Sequence, residues 1–278
     1  MHVRLWGTRG SVPSPGADTV RYGGNTSCVE VRTGSSLLIL DAGTGIRPLG
    51  ISLRDYHGRI DLLLSHLHLD HVQGIGFFEP AFRPDLELHI WGPPAPGEGL
   101  RARLARYLSP PLFPVRLREL NPEVVLHELP NEPIQIGDAR ITVEAVMHPG
   151  STVGYRIEDE SCSLAYLPDH EPALGAPSFP INPEWTSGHG LAHGVDLLIH
   201  DAQYTPAEYA ERVGWGHSSI EHTWAFAVQA GVRRLVTFHH DPSHSDDQLD
   251  ALVAELQSRD GPQVIGGTEG LELEAGDC

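Results

Sequence analysis

The segment Ser65-His66-Leu67-His68-Leu69-Asp70-His71 constrains this chain more than any other. Three imidazoles and a carboxylate crowd together there, directly after the apolar run Ile60-Asp61-Leu62-Leu63-Leu64. A strand that ends this way carries nitrogen and oxygen donors at its tip. Zinc, manganese and iron accept neutral imidazole and carboxylate as ligands. In an extended strand His66 and His68 face the same side, because side-chain direction repeats every two residues. A sharp turn after Leu67 then brings Asp70 and His71 around one pocket. The competing reading, a polar turn rich in histidine, leaves the density of donors in H-x-H-x-D-H unexplained.

Other apolar runs also end in donors. His148 follows the run 141–146 and precedes Pro149-Gly150, which turns the chain at a strand tip. Taken alone, such a histidine is either a ligand or a capping or surface residue. Asp169 follows Leu164-Ala165-Tyr166-Leu167-Pro168. A carboxylate there is costly to bury without a charge partner, and a cation would satisfy it. His239 and His240 both follow the run 235–238. His239 continues the strand and is the first choice, with His240 the alternate.

Strands are predicted at 3–6, at 28–31 and 37–40 as a hairpin across Thr33-Gly34-Ser35, and at 60–64 and 86–91. Further strands follow at 124–129, 139–146, 153–157 and 163–167, largely antiparallel, and at 197–200 and 234–238. Helices are expected from Gly45 toward Tyr56 and at 98–107, 206–212, 219–230 and 246–256. Segment 108–122 carries four prolines and reads as irregular. So does 172–194, rich in Pro, Gly and His. A β-rich half followed by a β-plus-α half fits two stacked sheets with helices outside.

The charged residues give 19 − 37 = −18. An acidic surface repels phosphate backbones, so long nucleic acid is disfavoured. Bound cations reverse that sign locally. The three scattered cysteines, Cys28, Cys162 and Cys278, do not form a disulfide framework and read as reduced. The start, Met1-His2-Val3-Arg4-Leu5-Trp6-Gly7, lacks a signal-peptide core. No run approaches the ~20 apolar residues of a membrane span. A cytoplasmic protein is expected.

H-x-H-x-D-H after an apolar strand resembles the metallo-β-lactamase superfamily of metal-dependent hydrolases, and the resemblance extends over nearly the whole chain. It implies an α/β fold, a four-layer αββα sandwich, filled by residues 1–278 as a single domain. The implied cofactor is two divalent metal ions, Zn, Mn or Fe. His66, His68 and His148 would hold one ion, and Asp70, His71 and His239 the other, with Asp169 bridging. Two ions ~3.5–4 Å apart that share a hydroxide suit in-line displacement at phosphorus.

Ile199-His200-Asp201 and Gly214-Trp215-Gly216-His217 resemble the phosphodiesterase branch: ribonuclease Z, cyclic-nucleotide phosphodiesterases and phosphoribosyl cyclic phosphodiesterase. That resemblance implies that His217 protonates the leaving alkoxide or binds phosphate. Asp201 would orient and charge it. Asp70 would also receive the nucleophile's proton. Arg9 and Asn25, on two glycine-rich turns, would contact substrate phosphate. Ribonuclease Z usually has glutamate where this chain has Asp201. The plainer readings are a strand-end carboxylate for Asp201 and a loop histidine for His217, beside a capping box Ser218-x-x-Glu221. His170 and Glu171 are expected around the centre or in a loop.

Ribonuclease Z binds tRNA through a basic surface and a long Gly/Pro-rich arm, whereas 172–194 holds no Lys or Arg. The expected partner is therefore a small phosphodiester, a cyclic nucleotide or a ribose cyclic phosphate. The family also suggests a homodimer. One rival is hydrolysis of a carbon ester, lactone or thioester on the same centre, with Tyr155, Tyr166 or Tyr204 lending a phenol. The other is a metal-holding sensor or binding protein, against which the open coordination positions argue.

Overall fold

The central strands are apolar on both faces, and this dictates layers. Leu37 and Ile39 pack to one side of their strand and Leu38 and Leu40 to the other, all buried. Strands covered on both faces read as continuous apolar runs. The computed structural model describes residues 1–120, 124–176 and 178–276. Cys278, Pro177 and the last two residues of segment 108–122 lie outside the described residues.

One sheet runs β14 (Glu272–Glu274), β1 (His2–Gly7), β2 (Cys28–Thr33), β3 (Ser36–Leu40), β4 (Gly58–Leu63), β5 (Leu86–Gly92), β6 (Val124–Glu128). The other runs β13 (Gln263–Gly266), β12 (Arg234–Phe238), β11 (Leu197–Asp201), β10 (Ser163–Leu167), β9 (Val153–Glu158), β8 (Ala139–Ala145), β7 (Ile134–Ile136). In each sheet one half is antiparallel and the other, β3 to β6 or β10 to β13, is parallel. The helices are α1 (Ile46–Ser52), α2 (Leu69–Val72), α3 (Leu100–Tyr107), α4 (His189–Ala192), α5 (Pro206–Ala210), α6 (Ile220–Ala230) and α7 (Asp246–Gln257).

Three apolar layers separate four layers of structure. Leu38, Leu40 and Leu63 meet Tyr155, Tyr166, Ile199 and Phe238 between the sheets. Ile39, Leu62 and Ile90 pack under α1 and α3. Leu167, Leu198 and Leu235 pack under α6 and α7 with Phe226 and Val253. This is the expected αββα sandwich. Cys28 and Cys162 are free and buried. Among the described residues no helix is long and apolar enough to cross a membrane.

Two details depart from the sequence reading. β6 joins the first sheet parallel to β5 rather than starting the antiparallel series, because alternation marks a strand but not the direction of its neighbour. The short strands β7, β13 and β14 carry too few residues to show a period. The carboxyl ends of β3, β4, β10, β11 and β12 all arrive at one edge, where open α/β sheets hold their ligands.

Candidate metal centre

At that edge the donors converge as two neighbouring groups. One ring nitrogen from each of His66, His68 and His148 lies within 4.8 Å of the others, as do single atoms of Asp70, His71, Asp169 and His239. His68 Nδ1 is 3.2 Å from His148 Nε2. His71 Nε2 is 3.3 Å from Asp70 Oδ2 and 3.0 Å from Asp169 Oδ1. His239 Nε2 is 3.2 Å from Asp70 Oδ2 and 3.4 Å from Asp169 Oδ1. The second oxygen of Asp169 lies 3.7 Å from Nε2 of both His66 and His148. Asp169 therefore sits between the two groups, one oxygen toward each.

These residues fit a cation. His66 Nε2 is buried without a hydrogen-bond partner among the described residues. Burial holds the His66 ring neutral and lowers His148 to about 4, the form that binds metal. Burial disfavours charge on His71 as well, yet Asp169, Asp70 and Asp41 outweigh it and push its pKa well up. Burial also works against the charge of Asp70, but His71 and His239 hold it well below the carboxylate range. The pocket thus compensates buried negative charge with protons that a metal ion would displace.

A surrounding shell fixes each ring. His71 Nδ1 pairs with Asp41 Oδ2 at 2.8 Å, and Asp41 also accepts from the backbone and hydroxyl of Ser65 and from Tyr166. His239 Nδ1 pairs with Gln203 Oε1 at 2.9 Å, and His148 Nδ1 donates to the Gly216 carbonyl at 2.8 Å. Such contacts set the tautomer and aim the opposite nitrogen inward. Asp41, Gln203 and Gly216 are not among the site residues expected from the sequence. Asp41 carried the same signal as Asp169, an acid after a four-residue apolar run; Gln203 and Gly216 carried none.

His217 Nδ1 lies 2.7 Å from Asp201 Oδ2 and 3.8 Å from Asp169 Oδ2. Its ring stacks on His239 at 5.0 Å. Burial opposes charge on His217, but Asp201, with Asp169 and Asp70 behind it, raises it to about 9. Glu171 anchors this loop by accepting from the backbone of Gly214 and Gly216 and from Tyr209. The cap of α6 is Ser219, which accepts from His222 N, not Ser218. Ser218 instead donates to the His170 carbonyl and, through its backbone, to Asp201. Glu221 pairs with Arg259. The expected capping box is absent because the loop is tied to Asp201.

Arg9 and Asn25 do not reach the cluster. Arg9 is fully buried and donates to the carbonyls of Gly23, Asp241 and His244, with Asp246 3.7 Å away. Asn25 donates to Glu269. Both tie loops together. What the first loop brings to the centre is Ser11, whose backbone donates to Asp70 at 2.8 Å. His240 turns away and donates to the Gly267 carbonyl. Tyr166 and Tyr155 are spent on Asp41 and the Leu64 carbonyl, while Tyr204 packs edge-on to His217 at 5.9 Å.

Comparison with known proteins agrees with this geometry. Residues 37–240 match the β-lactamase superfamily domain. The chain is similar to the ribonuclease Z of Mycolicibacterium paratuberculosis, 30% identical over 91% of this chain and 92% of that protein. It is also similar to the ribonuclease Z of Gemmatimonas aurantiaca, 26% identical over 98% and 95%. The crystal structure of the metallo-β-lactamase fold protein YhfI from Bacillus subtilis superposes with a TM-score of 0.71 at 20% identity, covering 98% of this chain and 99% of that one. The chain belongs to the β-lactamase superfamily, as a hydrolase of the metallo-β-lactamase fold.

Proposed function

We propose that this protein is a phosphodiesterase with two divalent ions, acting on a small phosphodiester. One observation carries the reading: His217, hydrogen-bonded to Asp201 at 2.7 Å, stands beside both donor groups. An alkoxide leaving phosphorus needs a proton, and a positioned imidazolium can give it.

His66, His68 and His148 would hold one ion, and Asp70, His71 and His239 the other, with Asp169 available to both. When bound, such ions supply a water of lowered pKa and a Lewis acid toward phosphoryl oxygen. The chain's own residues do the rest. Asp201 accepts from His217 Nδ1, which leaves Nε2 to carry a proton to the leaving oxygen. Asp70 takes up the proton of the attacking water. Asp41, Gln203 and Gly216 keep the metal-facing rings from turning.

The relatives' name points to RNA as a second substrate. The net charge of −18 opposes a long polyanion, so the small diester is preferred. The test is a panel with added Mn²⁺ or Zn²⁺: bis(p-nitrophenyl) phosphate, 2′,3′- and 3′,5′-cyclic nucleotides, an RNA with extra 3′ nucleotides, and a carbon ester, lactone and thioester. Turnover of the carbon esters alone, at full metal occupancy, would refute the proposal. Sedimentation and cell fractionation test the expected homodimer and cytoplasmic location.

A further inference from the structure

We propose that the cleft beside His66 and His68 is a subsite for a planar ring, the nucleobase or aryl group of the substrate. The inference rests on the phosphodiesterase reading above. The cleft has a volume of about 400 Å³, within the usual range of a small-molecule site. Its floor is His66 and His68, and its walls include Leu67, Leu69, Leu104, Tyr107 and Leu112. It is therefore continuous with the centre. Of the first donor group only His68 is exposed, so the centre opens on this side.

The walls are apolar where solvent would favour polar groups. Leu69 is 62% exposed and Leu112 70%. A contiguous exposed apolar surface marks a binding site more often than chance, and covering it recovers the hydrophobic free energy. The Tyr107 hydroxyl is spent on the Gln73 carbonyl, so the cleft meets its ring rather than a hydrogen-bonding group. Leu67 and Leu69 are the spacer residues of H-x-H-x-D-H. The positions that bind no metal thus face the substrate. Arg106, on the same wall, is largely exposed and ion-paired with Glu98, so its charge is already met. An apolar wall beside the donor cluster suits a flat ring, not a polyol.

The experiment titrates metal-loaded protein with phenylphosphonate and methylphosphonate by calorimetry, for the wild type, Leu112→Asn and Leu69→Gln. Both side chains are exposed, so both variants should fold. The wild type should bind the phenyl compound about tenfold tighter or more, and this ratio should shrink several-fold in both variants. Equal binding of the two by the wild type, or a ratio unchanged in both variants, overturns the subsite. Turnover of phenyl and methyl p-nitrophenyl phosphates, which share a leaving group, is measured alongside. If neither is cleaved the phosphodiesterase reading fails, while the binding ratio still decides the subsite.

Discussion

Asp201 Oδ2 lies 2.7 Å from His217 Nδ1, while Oδ1 of the same carboxylate accepts from the backbone of Gln203 and Ser218. One acid thus orients both the ring and the loop that carries it. His217→Ala should lower turnover by about 10²–10⁴-fold and leave metal content as in the wild type. Steady-state kinetics with metal analysis on the same preparation check this. A loss of metal that parallels the loss of rate would make His217 a ligand instead.

Asp41 touches no substrate and no candidate metal position, yet it fixes His71. Asp41→Asn should weaken metal binding by about 10–100-fold, measured by competition with a chromophoric chelator. An affinity equal to the wild type would reduce Asp41 to a turn residue.

Gly216 has φ +90, and a Cβ there would meet His148 Nδ1 at 2.4 Å. The ring and this backbone occupy one van der Waals contact, so neither has room to yield. Gly216→Ala should cost about 1–3 kcal/mol and also displace His148. Denaturant unfolding and metal content should fall together, and an alanine variant that retains both would show that the loop can move.

Much of this was legible in the sequence because ligands at strand ends follow apolar runs. His66, His68, Asp70, His71, His148, Asp169 and His239 each follow such a run or a turn just after one, and the structure gathers them. The outer shell was less legible. Gln203 reaches His239 from another strand end, and no local pattern encodes that pairing. Arg9 misled for the opposite reason. A cation in a glycine-rich turn reads as an anion binder, but here three loop carbonyls take up its donors. The direction of β6 was hidden because pairing is a long-range choice.

His200 gives a pH dependence outside the centre. It is fully buried between His170 and the Asp201 carbonyl, and burial lowers its pKa to about 4. The unfolded chain takes up this proton near pH 6.5, and the folded chain only near 4. Stability is therefore lost as pH falls through that window, by on the order of 3 kcal/mol for this group. Urea unfolding at pH 7 and pH 4.5 should show a smaller drop for His200→Gln than for the wild type. Equal drops would assign the acid sensitivity elsewhere.

The two sheets contribute separately to the donor cluster. His66, His68, Asp70 and His71 leave the first sheet after β4, while His148, Asp169 and His239 leave the second after β8, β10 and β12. An ion held there is a rivet through the seam of the sandwich. Its binding energy is counted in the cohesion of the whole molecule, so mass action ties the melting point to the free metal concentration. Stripping the ion would unfasten the two halves at the very rim where the chemistry occurs.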